Sequence, residues 1–341
     1  MLQEIAVWDA VGMVLGHDVT RIIPGLEKGP AFRRGHIIQQ ADVDVFLDIG
    51  KEHVYVIDLN DGYLHEDDAA RRIATAAVGQ GIRLTAPSEG RINLEAQIDG
   101  LLKIDIQALT RLNSLGDIVF ATLHSNHQVK KGQPIAGTRV VPLVVATDLV
   151  ARAEALCREN PPLIQVKPFR QLKVGMVTTG SEVYTGRIKD AFGPVVKRKF
   201  EALGSRIFRQ IFVSDDTQMT RGAIGELIDQ GAEMVVVTGG MSVDPDDRTP
   251  LAIREAGAKT ITYGAPTFPG AMFMIATIGE IPVLGLPGCV MYHKTSIFDL
   301  VVPRLLAGDS VSVEDIAQLG HGGFCAGCKV CRYPLCSFGK N

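Results

Sequence analysis

The sequence predicts an α/β protein whose sheet is mostly parallel and covered by helices on both faces over residues 168 to 308, preceded by a mixed, β-rich α+β region. Three observations carry this expectation. Strand-length apolar runs alternate with helix-length segments after residue 172. The helices of that stretch bring start and stop signals of their own. Before residue 166 the rhythm is irregular, with short β-rich runs and few helices. Strands alternating with helices pair in parallel through right-handed crossovers, which puts helices over both sheet faces.

In chain order, Val43–Leu47 and His53–Asp58 read as strands and His65–Ala77 as a helix. Asn126–Pro134 reads as a turn between strands and Thr147–Arg158 as a second helix. The paired prolines of Glu159–Pro162 stop that helix, since proline lacks an amide hydrogen and disfavours helix in the residue before it. A boundary is expected there, giving an amino-terminal region at 1–166, an α/β domain at 167–308 and a tail at 309–341. Leu172–Thr178 then reads as a buried strand, and Pro194–Leu203 as a helix with proline at its first position and Gly204 past its end. Ser205–Val213 is the second strand. The next helix is expected to be capped by Ser214, with Asp215 and Asp216 where the helix dipole favours acids, and closed by Gly231. Glu233–Thr238 is the third strand, Pro250–Ala256 a helix ended by Gly257, Ile281–Leu286 a later strand and Val290–Leu306 a long last helix.

Composition narrows the class of function. A chain of 341 residues suffices for two or three domains, each with its own core. Thirty-five Lys and Arg against 38 Asp and Glu leave a net charge of −3, so no nucleic acid or anionic membrane is expected as partner, and any anion must be held locally. The most apolar stretches, Val140–Val145 and Ile281–Leu286, fall far short of the roughly 20 residues a spanning helix needs. Glu4, with no basic stretch ahead of an apolar run, speaks against a secretory signal, and the expected compartment is the cytoplasm.

Ligands of open parallel sheets bind outside the carboxyl ends of the strands. That rule selects three loops, Thr178–Glu182, Thr238–Asp247 and Leu286–Val290, expected to face one crevice. Gly180, Gly239, Gly240 and Gly288 let main chain approach an anion closely, and the hydroxyls of Thr179, Ser181 and Ser242 add donors. Asp190, Asp244, Asp246 and Asp247 would repel that anion unless a divalent cation lies between, as magnesium does beside phosphates. The plainer role for Asp190, and for Asp246 with Asp247, is helix capping.

At these loops the sequence resembles a known family. Thr179–Glu182 followed by Gly186–Asp190, then Thr238–Asp247, then Pro269–Ala271 and Leu286–Gly288, are similar in order and spacing to the molybdopterin-binding domain shared by molybdopterin adenylyltransferases and molybdenumtransferases. The resemblance runs over about 170 to 306. It implies that Thr179, Gly180, Ser181 and Glu182 lie on the pterin and phosphate pocket, and that Gly239, Gly240 and Ser242, with Asp244 beside them, meet the phosphate or nucleotide. It implies that Asp190 and Asp247 are catalytic acids working with magnesium, and that Pro287 and Gly288 form the last wall. The implied ligands are molybdopterin, adenylylated or not, Mg2+, and molybdate as substrate. A homo-oligomer with molybdoenzyme partners is implied too. Gly12–Leu15 with Gly29–His36 is similar to the entry segment of molybdenumtransferases. The chain departs from the family at Ala191–Phe192, where Ser-Asn is usual, at Asp244, where Gly is usual, and at Cys289–Val290, where Asn-Pro is usual. A cysteine tail stands where a β-barrel ends the molybdenumtransferases. These departures bear more on transfer chemistry than on pterin binding.

In that tail Cys325, Cys328, Cys331 and Cys336 come close to the iron–sulfur run of bacterial ferredoxins, with the last gap one residue longer. The readings are a [4Fe-4S] cluster, a zinc ion or no metal; structural zinc sites usually join two separated pairs. Lys329, Arg332 and Lys340 are placed to offset thiolate charge. Elsewhere, Cys289 reads as a small buried residue at a helix start beside the crevice, Cys157 as helix packing, His293 as part of the last helix, and His124 with His127 as an exposed pair bracketing a turn. Two functions follow as expectations. One is an enzyme of molybdenum-cofactor maturation, acting by magnesium-dependent metal insertion or nucleotidyl chemistry. The other is a non-catalytic carrier or sensor of molybdopterin with a redox-active iron–sulfur tail.

Overall fold

A computed structural model describes residues 2–23, 27–57, 62–88, 90–159 and 162–340. Asp58, Asn160 and Pro161, named above at a strand end and in the linker, lie outside the described residues. The chain divides into two compact units. One holds Met1–Ile98, Lys103–Leu123 and Val129–Val166; the other holds Asp99–Leu102, His124–Gln128 and Lys167–Asn341.

In the first unit, Ile82–Leu84, Arg91–Ala96, Pro134–Val140 and Ile118–Thr122 form an antiparallel sheet in that order. The helix Glu66–Ala77 buries Ala69, Ala70, Ile73, Ala74 and Ala77, a helical spacing of apolar positions. Its N-cap is His65, whose Nδ1 accepts the Asp67 amide at 3.1 Å. A separate cluster gathers Leu15, Val43, Phe46, Val54 and Val56, with Phe32 stacked on Phe46. Val43–Leu47, expected as a strand, is instead part of the helix Asp42–Asp48. The reason is the spacing of the buried residues: Val43 and Phe46, three apart, face the core while Val45 and Leu47 are exposed.

The second unit is built on β1 (Lys173–Thr179), β2 (Arg206–Val213), β3 (Met234–Thr238), β4 (Lys259–Tyr263), β5 (Met274–Ile278) and β6 (Ile281–Leu286). They form one sheet in the order β2-β1-β3-β6-β5-β4. The first four are parallel, and β5 and β4 add an antiparallel edge. Strand side chains alternate between two cores, as the period of two requires. Val174, Met176, Met234, Val236, Leu284 and Leu286 face one, and Val177, Val235, Val237 and Val283 face the other. Helices α1 (Ser181–Tyr184), α2 (Phe192–Glu201), α3 (Thr217–Asp229), α4 (Thr249–Glu255), α5 (Cys289–Tyr292), α6 (Ile297–Leu306) and α7 (Val313–Gln318) complete the unit. Phe200 of α2 meets Phe298 of α6 edge-on in the first core, while Ile224 and Leu227 of α3 and Ile253 of α4 fill the second. Both sheet faces are therefore covered.

Several expectations change in detail. Val290–Leu306 is two helices, because His293 is extended and Ser296 restarts the chain with a capping box against Asp299. Helix α3 is capped by Asp216, whose Oδ1 accepts the Met219 amide at 2.8 Å, two residues beyond Ser214. Helix α2 begins at Phe192, before Pro194. Strand β4, at the sheet edge with no fully buried residue, and strand β5, buried at Met274–Ala276, were not anticipated. The tail is no appendage: α7 lies within it, and Phe338, 2% exposed, packs in the first core. Among the described residues no helix is long and apolar enough to cross a membrane.

Candidate functional site

Strands β1, β3 and β6 are parallel neighbours, so their carboxyl ends open on one edge of the sheet. The loops after β3 and β6 share a cavity of about 650 Å³ there, walled by Gly239–Ser242 and Asp247 from one loop and Pro287–Cys289 from the other. The segment Phe268–Met272 closes a third side, and Met291–His293 and Phe192 contribute to the rim.

The loop after β1 braces this crevice from behind. Gly239 and Gly240 have φ of 90° and 56°, in the left-handed region that favours glycine. A β-carbon on Gly239 would collide with the Thr179 carbonyl oxygen, so the two loops interlock at main-chain distance. Thr249, at the start of α4, ties the double glycine down: its Oγ1 donates to the Gly239 carbonyl at 2.8 Å and its amide to the Gly240 carbonyl at 3.1 Å. The Tyr263 hydroxyl donates to the Met241 carbonyl at 3.2 Å, so the unanticipated β4 also supports the loop. Burial, reinforced by the nearby Asp247 charge, pushes the Tyr263 hydroxyl above its ordinary range, keeping it a donor.

The predicted residues separate into two sets. Gly239, Gly240, Ser242, Asp247, Pro287 and Gly288 share the crevice wall; Thr179, Gly180, Ser181 and Glu182 lie behind it and are not on that wall. The Ser181 amide and hydroxyl both donate to Asp215 Oδ2 at 2.9 Å, an acid the sequence reading had assigned only to a helix turn. Asp190 and Asp247 were expected to share one cation, and the crevice does not bring them together. Asp190 Oδ1 accepts the amides of Phe192 and Gly193 at 2.9 and 3.0 Å, and Oδ2 accepts Gln210 Nε2 at 2.6 Å. Gln210 Nε2 also reaches Thr178 Oγ1 at 2.9 Å, so this acid ties α2 to the sheet. Asp244 is exposed off the wall, its amide donating to Asp247 Oδ2 at 3.0 Å. Asp247 is thus the one predicted acid on the wall.

Sequence reasoning missed the aromatic rim. Phe192, Phe268 and Tyr292 line the crevice, and Phe268 and Tyr292 are 60% and 79% exposed. Exposed aromatics at a cavity mouth suit a flat heterocycle. No periodicity signals them, because each stands alone in a loop or short helix. Cys289 and His293 lie on the wall, and burial raises the Cys289 thiol so that it stays neutral.

His124 and His127, expected as an exposed pair, differ sharply: His124 is exposed and His127 only 3% exposed. Neither ring nitrogen of His127 has a hydrogen-bond partner, and the cavity of about 50 Å³ beside it is also lined by Arg304, whose Nε pairs with Asp309 Oδ2 at 3.7 Å. Room for a water or two beside such atoms is the usual remedy. Burial, with Lys340 and His124 nearby, pushes the His127 pKa down to about 4.

Residues 175–307 match the family described as "Probable molybdopterin binding domain". The match covers the sheet with its crevice and less than half of the chain. Residues 4–58 match a family described only as a domain of unknown function. A molybdopterin molybdenumtransferase from Haemophilus influenzae is 26% identical over 224 residues, 61% of this chain and 52% of that protein. A CinA-like protein from Syntrophus aciditrophicus is 34% identical over 85 residues, 25% of this chain and 20% of that protein. The chain thus spans between a fifth and about half of these curated relatives. Among solved structures, a tungsten cofactor synthesizing protein MoaB from Pyrococcus furiosus is 25% identical, with a TM-score of 0.32, covering 35% of this chain and 84% of its own. The matched segment, residues 175–307, holds every crevice-lining residue named above.

Proposed function

We propose that this protein acts in molybdenum-cofactor biosynthesis, holding molybdopterin, adenylylated or not, in the crevice between Gly239–Gly240 and Pro287–Gly288. The observation that carries the reading is the meeting of a clamped double-glycine loop, one carboxylate and an aromatic rim in a single cavity of about 650 Å³. Main chain without β-carbons suits a phosphate, and the rings of Phe192, Phe268 and Tyr292 suit the pterin.

An acid beside a phosphate needs a cation between them. Magnesium takes one or two carboxylates and completes its shell with ligand phosphates and water, so Asp247 alone is a fitting protein ligand. Bound there, magnesium would neutralise phosphate charge and orient the phosphate. Asp190, with its oxygens already engaged, positions α2 and hence Phe192. The protein's work in this reading is binding and orienting the pterin for delivery of molybdate, with the cytoplasm as the compartment and self-association with molybdoenzyme handover as its setting.

A second reading, a carrier or sensor without turnover, is favoured by the same engagement of Asp190, which leaves a single acid at the crevice. The experiment incubates the full chain with adenylylated molybdopterin, magnesium and molybdate. Nucleotide release with molybdenum incorporation supports the enzyme. Binding without release supports the carrier. Absence of binding rejects both.

A further inference from the structure

Gly323–Phe338 contains neither helix nor strand beyond a single bridge residue, yet it is fastened on all sides. Phe324 bridges Phe268, and the Cys325 amide donates to the Phe268 carbonyl at 2.8 Å. The Tyr333 hydroxyl donates to the Asp299 carbonyl at 2.9 Å, and the Gly339 amide to the Gly322 carbonyl at 2.9 Å. Cys325, Cys328, Cys331 and Cys336, all free thiols, line one cavity of about 240 Å³ inside this wrap. Cys325 and Cys336 are half-buried against the first core and Cys328 and Cys331 are exposed, so the four thiols are open to an incoming metal centre.

The spacing of the thiols along the sequence, three at intervals of three and a fourth five residues on, favours a cluster over zinc, whose sites usually join two separated pairs. Zinc binds four sulfurs at about 2.3 Å, which demands that they converge on one point. Among the described residues no three Cys, His, Asp or Glu side chains gather closely enough to hold one ion. All four thiols line one cavity, as a cubane requires, in which each iron takes one thiolate and each thiol gives up its proton on ligation. The charge environment agrees. Lys294, Lys329 and Arg332 lie on the cavity wall, and Thr295 Oγ1 is 3.2 Å from Cys331 Sγ, a hydrogen bond of the kind that tunes such clusters.

The cavity has a second property. Tyr292 and His293 line both it and the crevice, and Phe268, which receives the Cys325 amide, is on the crevice wall. We propose that Cys325, Cys328, Cys331 and Cys336 hold a [4Fe-4S] cluster separated from the pterin crevice by the shared wall of Tyr292 and His293, so that a ligand in the crevice perturbs the cluster. The cluster stands on the thiols alone; its coupling to the crevice rests on the functional reading above.

The test uses the full chain, purified anaerobically and reconstituted with equal amounts of ferrous and ferric iron and with sulfide. The expected result is about four iron and four sulfide per chain, with an EPR signal on reduction by dithionite that is lost in Cys328→Ala and kept in Cys157→Ala of the other unit. Circular dichroism checks that each variant folds. Zinc retained at one per chain with no iron uptake overturns the cluster. A pterin monophosphate is then titrated into the reduced protein, with calorimetry in parallel. A changed EPR line shape on binding supports the coupling, and binding with an unchanged spectrum overturns it. No calorimetric binding overturns the pterin reading and the coupling with it, while the cluster result stands.

Discussion

The Thr179 carbonyl oxygen occupies the place where a β-carbon on Gly239 would lie, so the loops after two neighbouring parallel strands are locked by main chain against main chain. Neither residue touches the other in sequence, and neither would hold the crevice alone. The lock gives the double-glycine loop a fixed shape before any ligand arrives, which reduces the ordering cost of binding.

Gly239→Ala is expected to break this lock. Positive φ alone costs of order 1–3 kcal/mol for a non-glycine residue, and the collision with Thr179 adds to it. Urea denaturation should show at least that loss, and pterin phosphate affinity should fall with it. Unchanged stability would mean the two loops do not interlock.

Asp247 and Asp190 are expected to differ in kind. Asp247→Ala should abolish the magnesium dependence of phosphate-ligand binding, at a stability cost near 1 kcal/mol for the lost Asp244 hydrogen bond. Asp190→Ala should cost about 1–2 kcal/mol through loss of the α2 cap and leave the magnesium dependence in place. Calorimetry with and without magnesium reads both. A loss of magnesium dependence in Asp190→Ala alone would reverse the assignment.

The buried His127 makes stability pH-dependent. Its folded pKa, about 4, lies below the unfolded value of 6.5, so between these the unfolded chain binds the extra proton. The contribution is complete above pH 6.5 and is lost as pH falls towards 4, amounting to roughly 3 kcal/mol. Denaturation of the wild type between pH 4 and 7 should show this slope, and His127→Leu should flatten it. An equal slope in the variant would rule out His127 as its source.

Lys199 Nζ contacts both oxygens of Asp299 at 2.9 and 2.8 Å, joining α2 to the first turn of α6. Burial raises the Asp299 carboxyl, and Lys199 opposes that rise. Removing the cation strands a buried acid, so Lys199→Ala should cost roughly 3–5 kcal/mol. The double variant Lys199→Ala/Asp299→Asn should recover part of it. Additive losses in the cycle would show that the pair is not coupled.

Much of the sheet was legible because its strands are apolar on both faces: Val174–Val177 and Met234–Val237 lie between two cores and read as strands without help from the rest of the chain. Glycines and threonines at the strand ends marked the loops for the same local reason. Val43–Leu47 misled because a run of five with mixed polarity satisfies both periods, and only the core around Phe46 selects the helical one. The edge strand Lys259–Tyr263 escaped notice because none of its residues is fully buried, and Met274–Ile278 escaped notice although its first three residues are buried.

Residue order and chemistry by themselves determined the α/β rhythm, the three loops at the strand ends, the family likeness over the second half and the sulfur spacing of the tail, all of which are local patterns. Only the tertiary structure decided that Asp247 and not Asp190 reaches the crevice, that Phe268 and Tyr292 rim it, that His127 is buried and that the four tail thiols surround a cavity against that rim. Those facts depend on which distant segments meet, and the free energy that chooses among such meetings is summed over the whole packed core, not written in any one stretch of chain.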